Sequence, residues 1–313
     1  MQFEEIKTIT VLGTGNMGPG IALQFAKAGY QVFTWGRNQL SVEKGVANFK
    51  RNIDDLIRES IISDDEAERI YKNNTITNNL DEAVSTTDFI VEAIAENLEV
   101  KQDIFTKLEA LTSERTIYAS STSTLLPTPL SEKIRLKERF LVAHFWNPAY
   151  LAPLVEVCGS PHTSVETTEA TMKLLSFIGN KPVLMKKEIL GFIGNRIMHA
   201  MNREALHLIG TGVVTPEEVD KAILGSFGPR FANLGPMEYL DFSGLDLIKA
   251  IQGYLYADLD NTPGVLPAVE ERVNKRELGA KSGKGLFDWK HKNTGEIRKK
   301  RDQEFIRKMK DKN

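Results

Sequence analysis

Four polar side chains stand where they could carry out acid–base chemistry. His144 lies in the apolar run L-V-A-H-F, and Glu156 lies in L-V-E-V, where a buried carboxylate needs a partner to offset its loss of water. Ser123 follows another apolar run, and Asn195 lies in G-F-I-G-N-R-I. A histidine and a carboxylate suit alcohol oxidation, because the imidazole takes the hydroxyl proton while the carboxylate fixes its tautomer. Taken singly, both residues also fit purely structural roles.

A phosphate-binding pattern lies near the N-terminus. It reads Gly13-Thr14-Gly15-Asn16-Met17-Gly18, fits G-x-G-x-x-G, follows an apolar run and opens a helical pattern. Gly13 permits the tight turn, Gly15 lets the backbone approach a pyrophosphate, and Gly18 allows close helix–strand packing. Free N–H groups at the start of the helix bind the anion. The sequence therefore predicts a dinucleotide site formed by this turn, including Asn16 and Met17.

The residues after the second predicted strand bear on the choice of cofactor. An NAD site usually has an acid there that accepts the ribose hydroxyls. The expected position is Gly36, and Arg37 follows it. Because no carboxylate would repel a 2′-phosphate and a guanidinium is close enough to bind one, the sequence favours NADP over NAD. The alternative is that Arg37 only stacks on adenine and that NAD is accepted without the acid.

The first half of the chain alternates apolar strand-like runs with helical periodicity, which predicts a parallel sheet with helices on both faces. The predicted strands are 9–12, 31–35, 88–94, 116–119, 140–145 and 154–157. After about Lys187 the patterns are helical and no strand pattern interrupts them. We predict an α/β chain with a doubly wound Rossmann-type domain over residues 1–187 and an all-helical domain over residues 188–313.

Composition narrows the class of protein. The 313 residues include 40 Lys and Arg against 42 Asp and Glu, a net charge of −2, which argues against a general nucleic-acid-binding surface. No apolar run approaches the roughly 18 residues that a membrane-spanning helix needs, and the N-terminal residues do not resemble a signal peptide. One cysteine and no zinc-type spacing argue against disulfides and metal. We expect a cytoplasmic protein with a small-molecule substrate and no membrane partner.

The C-terminal tail is basic. Residues 290–313 carry ten Lys or Arg and four Asp or Glu. A basic tail could contact ligand phosphates or an acidic partner. The simpler expectation is a solvated terminal helix that docks through Phe305, Ile306 and Met309.

The chain resembles the 3-hydroxyacyl-CoA dehydrogenase family in motifs that run in family order from about residue 8 to residue 289. They are G-T-G-N-M-G-P-G-I-A, V-E-A-I-A-E-N-L-E-V-K, H-F-W-N-P-A-Y-L-A-P-L-V-E-V, G-F-I-G-N-R-I, G-P-M-E-Y-L-D-F-S-G-L-D and A-K-S-G-K-G-L-F-D-W. The resemblance implies a doubly wound sheet followed by a helical domain that mediates homodimerisation. It also implies hydride transfer between the 3-hydroxyl of an acyl thioester and a nicotinamide cofactor.

The resemblance assigns roles to individual residues. It implies that His144 is the general base and that Glu156 orients it. Ser123 and Asn195 match positions that hydrogen-bond the substrate around the reacting carbon. Asn147 matches an asparagine that lines the site and supports the histidine.

Further positions concern the cofactor. Glu96 and Lys101 match residues near the nicotinamide ribose. Gly36 replaces the usual ribose-binding aspartate, which places NAD preference in doubt. Ser121 stands where many relatives have asparagine beside the cofactor, a change that we expect to be tolerated.

One departure concerns coenzyme A. Acyl-CoA enzymes of this family present serine and lysine to the nucleotide from the helix after the second strand. Counted without gaps from Gly45, those positions are Phe49 and Leu56. Nearby cations are Lys50, Arg51 and Arg58.

The segment F-G-P-R-F-A-N-L-G-P-M-E is similar to the branch that contains lambda-crystallin, gulonate and carnitine dehydrogenases. Arg230 in this segment could pair with a substrate carboxylate, or it could be a surface or helix-capping residue.

The leading hypothesis for the function is a dehydrogenase of short-chain 3-hydroxyacyl-CoA, such as 3-hydroxybutyryl-CoA. The second is a dehydrogenase of a free 3-hydroxy acid or a similar small polar substrate. A third is a catalytically inactive nucleotide-binding or structural protein.

Overall fold

The computed structural model describes residues 1–311. By their backbone contacts these residues form two compact units: Met1–Ile193 together with the C-terminal segment from Phe305, and Gly194–Glu304. The predicted domain limits, 1–187 and 188–313, stay a prediction. Lys312 and Asn313, the last residues of the predicted tail, lie outside the described residues.

The first unit is built on one eight-stranded sheet with the order β3-β2-β1-β4-β5-β6-β7-β8. Its strands are β1 (Thr8–Leu12), β2 (Gln31–Trp35), β3 (Asn74–Thr77), β4 (Phe89–Glu92), β5 (Ile117–Ser120), β6 (Phe140–Phe145), β7 (Leu154–Gly159) and β8 (Lys181–Met185). Every neighbouring pair is parallel except β6 and β7, which are antiparallel. The order reverses between β1 and β4, the crevice where such sheets bind ligands.

Helices cover both faces of the sheet. They are α1 (Gly18–Lys27), α2 (Gln39–Arg58), α3 (Asp64–Lys72), α4 (Leu80–Val84), α5 (Leu98–Leu111), α6 (Pro127–Leu130) and α7 (Val165–Phe177). One core cluster includes Phe25, Phe49 and Leu174, while a second includes Phe105 and Leu130. Strands β4, β5 and β6 are buried at every residue, as expected for strands covered on both faces. The predicted doubly wound fold is confirmed.

The edge strands β3 and β8 and the helix α7 lie where the sequence shows no clear pattern. Strand β3 reads N-T-I-T and contains no fully buried residue, while β8 is buried only at Met185. An edge strand has a neighbouring strand on one side only, so its residues are less completely buried and its sequence needs no continuous apolar run. Helix α7 begins at Val165 after the N-cap Ser164, whose side chain accepts a hydrogen bond from the N–H of Thr167.

The second unit is helical, as predicted. Its elements are α8 (Phe192–Gly210, which begins at the end of the first unit), α9 (Pro216–Leu224), α10 (Pro236–Phe242), α11 (Leu245–Leu255), α12 (Pro267–Asn274) and the first part of α13 (Thr294–Lys310). Thr215 and Glu218 form the predicted capping box at the start of α9. In residues 194–304 the only β-type pairing is a pair of isolated bridges among Gly279, Lys284 and Asp288.

Helix α13 ends within the first unit. Phe305, Ile306 and Met309 pack against the core cluster that contains Phe25 and Phe49, which agrees with the predicted docking of the tail. Lys310 adds an ion pair with Glu59 at 3.4 Å. Among residues 1–311 no helix is long and apolar enough to cross a membrane.

Candidate active site

The central feature is a buried histidine–carboxylate pair on two neighbouring strands. The antiparallel register of β6 and β7 places His144 directly opposite Glu156, so both side chains project from the same face. His144 Nδ1 lies 2.8 Å from Glu156 Oε2, and the two residues are 5% and 1% exposed. With Glu156 ionised, Nδ1 carries the hydrogen and Nε2 is left as the acceptor. The pair can therefore take a proton at Nε2 and hold the resulting imidazolium.

Glu156 receives further hydrogen bonds that offset the cost of its burial. The indole Nε1 of Trp146 donates to Oε2 at 3.0 Å, and the backbone N–H of Ile193 donates to Oε1 at 2.7 Å. The rings of Trp146 and Phe192 lie 5.7 Å and 5.4 Å from the imidazole, centroid to centroid. The donors come from separate segments, so the carboxylate is held in a fixed orientation and its burial is offset by hydrogen bonds.

The sequence prediction did not give Trp146 a role. A signal was nevertheless present, because successive side chains of extended backbone point to alternate sides. Trp146 comes two residues after His144 and so lies on the side of the imidazole.

Glu96 holds the loop that carries Ser123. Its Oε1 accepts the hydroxyl of Thr122 and the N–H groups of Ser123 and Thr124, the latter two at 3.1 Å and 3.3 Å. Burial alone would raise the pKa of the Glu96 carboxyl, but the Thr122 hydroxyl and the Lys101 ammonium outweigh it and hold that pKa below 4.5. Ser123 itself is exposed.

Lys101 is fully buried between two carboxylates. Its Nζ lies 2.5 Å from Glu92 Oε1 and 3.3 Å from Glu96 Oε2, and Lys101 and Glu92 are 1% and 0% exposed. Glu92 also accepts the hydroxyl of Ser120 at 2.6 Å and the N–H of Ile94 at 2.8 Å. We call Glu92, Lys101, Glu96 and Ser120 the buried charge network. Sequence reasoning missed Glu92, although a charge at the end of the buried strand F-I-V-E was the available signal.

The glycine turn has the geometry that its motif predicts. Gly13 has a φ of +120°, and a side chain there would clash with the carbonyl of Ala93. A Cβ on Gly18 would clash with the carbonyl oxygen of Gly13, so the start of α1 lies close against the turn. A Cβ on Gly15 would meet nothing within 4 Å, so the backbone there faces open space. These are the three glycine roles of a dinucleotide turn.

The open space at Gly15 belongs to a cavity of about 1150 Å³. It is lined by the glycine turn with Asn16 and Met17, by the segment after β4, by the end of β2 and by one side of α5. Ser121, which follows β5, has a buried hydroxyl with no hydrogen-bond partner among residues 1–311. An unsatisfied hydroxyl and an open glycine turn at this crevice fit a bound dinucleotide.

The end of β2 borders the same cavity. Gly36, Arg37, Ser41 and Lys44 line it there. Among the cavity-lining residues the sole acid is Asp103, which pairs with Lys133 at 2.9 Å. A Cβ on Gly36 would come 3.0 Å from both Ser41 Cβ and Thr14 Cγ2, so the position is too crowded for a larger residue without some shift. This end of the cavity therefore presents net positive charge.

The remaining predicted site residues occupy different settings. Asn147 is exposed and, in the described part of the chain, has no hydrogen bond to His144, so its supporting role stays a prediction. Asn195 lies in the first turn of α8. Arg230 donates to the hydroxyl of Tyr239 at 2.7 Å and stacks over its ring at 4.9 Å. The guanidinium is thus held in place within the second unit.

The two positions counted for coenzyme A contacts do not face solvent. Phe49 and Leu56 are 3% and 1% exposed and belong to the core. The neighbouring cations Lys50 and Arg58 pair with Asp54 and Asp55 on the same helix. Helix α2 therefore offers a coenzyme A nucleotide fewer free charges than its sequence suggests.

Two family models match two consecutive parts of the chain. Residues 8–189 match the model described as 3-hydroxyacyl-CoA dehydrogenase, NAD binding domain, and residues 191–289 match the C-terminal domain of the same enzyme. A 5-formyl-3-hydroxy-2-methylpyridine 4-carboxylate 5-dehydrogenase from Mesorhizobium japonicum is 31% identical over 96% of each chain.

Two solved structures extend the comparison. The structure of a 5-formyl-3-hydroxy-2-methylpyridine 4-carboxylic acid 5-dehydrogenase, described as NAD⁺ dependent, superposes with a TM-score of 0.89 and 31% identity over 96% of each chain. An (S)-3-hydroxybutyryl-CoA dehydrogenase from Ralstonia eutropha superposes with a TM-score of 0.75 and 30% identity, over 91% of this chain and 99% of that one.

Proposed function

We propose, from the premise that this chain belongs to the 3-hydroxyacyl-CoA dehydrogenase family, that it transfers hydride between a nicotinamide cofactor and the hydroxyl-bearing carbon of its substrate. The buried pair of His144 Nδ1 and Glu156 Oε2, 2.8 Å apart, carries this proposal. A carboxylate that orients an imidazole and leaves Nε2 open is the arrangement that removing an alcohol proton requires.

The chain's own residues divide the work. His144 accepts the hydroxyl proton at Nε2, and Glu156 stabilises the charge that appears on the ring. Glu96 holds the backbone of Ser123 so that its hydroxyl can bind the substrate oxygen. Asn195 and Asn147 complete the substrate contacts that the family implies. A nicotinamide cofactor, when bound, accepts or donates the hydride.

The residues that would hold the cofactor are those of the glycine turn and of the crevice beside it. Gly13, Gly15 and Gly18 bring backbone N–H groups to a pyrophosphate. Ser121 offers its unsatisfied hydroxyl to the same ligand. The family resemblance implies that Glu96 and Lys101 lie near the nicotinamide ribose, where Glu96 would support it and Lys101 would act through its ion pair with Glu96.

We infer that the cofactor is NADP rather than NAD. The supporting observation is the end of β2, where Gly36 provides no carboxylate and Arg37, Ser41 and Lys44 line the cavity. Two cations and a hydroxyl suit a 2′-phosphate, whereas the sole acid on the cavity wall is paired with Lys133.

The variant Arg37→Ala tests the cofactor inference. We expect KM for NADP to rise about tenfold to a hundredfold, the loss of one hydrogen-bonded charge, with KM for NAD nearly unchanged. Arg51→Ala, an exposed cation outside the cavity lining, is the matched control. Arg37→Ala is a clearer test than Gly36→Asp, because a Cβ at position 36 would lie close to Ser41 and Thr14 and could disturb the local structure. Equal use of both cofactors by the unmodified protein would contradict the inference.

For the substrate, we propose a short-chain 3-hydroxyacyl-CoA such as 3-hydroxybutyryl-CoA as the first candidate. Its support is the motif set and the match of both halves to the family models. A free hydroxy acid or a similar small polar substrate is the second candidate. The burial of Phe49 and Leu56, the paired cations on α2 and the higher TM-score to the pyridine-carboxylate enzyme favour it.

A matrix of cofactors and substrates separates the candidates. NAD and NADP are each combined with 3-hydroxybutyryl-CoA, free 3-hydroxybutyrate, gulonate and carnitine, and kcat/KM is measured. Activity confined to the thioester supports the first candidate, and activity confined to the free acids supports the second. Inertness toward the whole panel and toward the pyridine carboxylate would contradict the proposal and favour a nucleotide-binding or structural protein.

We also propose that the protein is a cytoplasmic homodimer. The helices Pro216–Leu224, Pro236–Phe242, Leu245–Leu255 and Pro267–Asn274 contain no fully buried residue. Phe242, Tyr254 and Leu245 in these helices are 83%, 71% and 60% exposed. A second copy would cover this surface. Sedimentation or light scattering at the mass of one chain would contradict the dimer.

A further inference from the structure

The hydrogen bond between Trp146 and Glu156 lies on the oxygen that His144 uses. Glu156 Oε2 accepts from the imidazole Nδ1 at 2.8 Å and from the indole Nε1 at 3.0 Å. The indole is half-buried and its ring centroid lies 5.7 Å from that of the imidazole. Trp146 therefore touches the dyad through a polar atom, in addition to its packing.

We propose that Trp146 is a positioning residue that sets the working pH of the His144–Glu156 pair. The inference rests on the proposed function, because it concerns the base of that reaction. The indole N–H draws part of the negative charge of Oε2 toward itself, so the carboxylate stabilises the imidazolium less than it would alone. The indole N–H therefore limits how strongly Glu156 holds a proton on the imidazole.

The sign of the effect follows from this sharing. Without the indole N–H, Oε2 shares its charge with one donor fewer, its attraction to the protonated ring is stronger, and the imidazolium becomes more stable. The imidazole then holds its proton to higher pH. Oxidation of the hydroxyl, which needs the neutral ring, weakens on the acid side. Carbonyl reduction, which needs the imidazolium, persists further toward the alkaline side.

Few other titratable groups lie on this face of the sheet near the pair. Strand β7 contributes Cys158, and burial raises the pKa of its thiol to about 11, so it is neutral. Strand β5 contributes Tyr118, whose hydroxyl bonds to Thr112 and whose pKa burial raises. Glu188, beyond β8, accepts hydrogen bonds from Thr128, and Glu96 accepts hydrogen bonds from the loop that contains Ser123. Glu156 is thus the charged group in direct contact with the imidazole among the described residues of the first unit.

The test is the variant Trp146→Phe, which keeps an aromatic ring and removes the N–H. Trp289→Phe in the second unit is the matched control. In kcat/KM–pH profiles we expect Trp146→Phe to move the acid limb of oxidation and the alkaline limb of reduction upward together, by about half a pH unit to one pH unit. A purely structural role would lower both rates without moving either limb. Limbs that stay in place, or that move downward, would overturn the inference.

A second measurement needs no substrate, so it separates failure of this inference from failure of the proposed function. The ring signals of the five histidines are titrated by nitrogen–proton NMR, and His144→Gln identifies the relevant one. The His144 signal should titrate at higher pH in Trp146→Phe and at the unmodified position in Trp289→Phe. If Trp146→Phe fails to fold, labelling the unmodified protein with 5-fluorotryptophan makes the indole a stronger donor, and the titration should move to lower pH. An unmoved signal in these titrations contradicts the inference even if an active substrate is never found.

Discussion

Two buried carboxylates on the same sheet have opposite uses. Glu156 on β7 faces an imidazole, which keeps a second nitrogen open, whereas Glu92 on β4 faces the ammonium of Lys101. Lys101 is also bonded to Glu96, and Glu92 takes two further donors, so that cluster is satisfied internally. Burial of charge alone therefore does not identify a catalytic site. The dyad differs in that the second nitrogen of its imidazole has no hydrogen-bond partner among residues 1–311.

Removing the open nitrogen of the imidazole should have the largest effect on activity. We expect His144→Gln to lower kcat by about 10²–10⁴-fold, because general-base catalysis is lost, while the dissociation constant of the cofactor hardly changes. The free energy of unfolding should fall far less than the rate. The control is His162→Gln, a histidine outside the site. Near-normal turnover of His144→Gln would contradict the proposed role of His144 as the general base.

The matching change in the buried charge network should act on stability. Lys101→Met leaves Glu92 buried without its cation, and we expect a loss of about 3–5 kcal/mol in the free energy of unfolding. Urea unfolding of this variant and of the double variant Glu92→Gln/Lys101→Met measures it. The double variant should recover much of the loss, because no uncompensated charge remains. A single variant as stable as the unmodified protein would contradict the assignment of the network to structure.

A smaller effect is expected from the hydroxyl in the same network. Ser120→Ala removes the 2.6 Å hydrogen bond to Glu92 Oε2, which should cost about 1.5–3 kcal/mol of stability as a bond to a charged group. Ser113→Ala, an exposed hydroxyl before β5, should cost much less. Thermal unfolding distinguishes the two. If Ser120→Ala also moved the limbs of the kcat/KM–pH profile, the buried charge network would affect the His144–Glu156 pair, which would contradict their separate roles.

The smallest effect concerns Glu96, which joins the network to the loop of Ser123. Since its pKa is lowered, its hydrogen bonds to the loop are present above 4.5 and are lost as the pH falls through that lowered pKa. Glu96→Gln should therefore raise the substrate KM a few-fold at neutral pH, on the order of one weakened hydrogen bond, with kcat less affected. Glu99→Gln on the exposed start of α5 is the control. An unchanged KM would show that the loop does not depend on Glu96.

Much of the site was readable from local pattern. The glycine turn, the apolar runs of β4, β5 and β6 and the long helices all follow from short-range spacing, since burial on both faces demands continuous apolar strands. The pairing of His144 with Glu156 was predicted from the sequence because the two residue types suit alcohol oxidation and match the motifs of the family that the chain resembles. The edge strands β3 and β8 were not predicted, because a strand with a neighbour on one side only is less buried and shows no continuous apolar run.

The type of sheet, the glycine turn typical of a dinucleotide site, the family, and His144 and Glu156 as the candidate base and carboxylate all follow from the amino-acid sequence. Tertiary structure decided which atoms meet. The antiparallel register of β6 and β7 brings Nδ1 to Oε2, the end of β6 turns the Trp146 indole onto the same oxygen, and the packing of α5 buries Lys101 between Glu92 and Glu96. Local pattern reports how strongly a residue prefers to be buried. Which partner it meets depends on strand pairing between segments far apart in the chain, and that pairing is set by the whole fold.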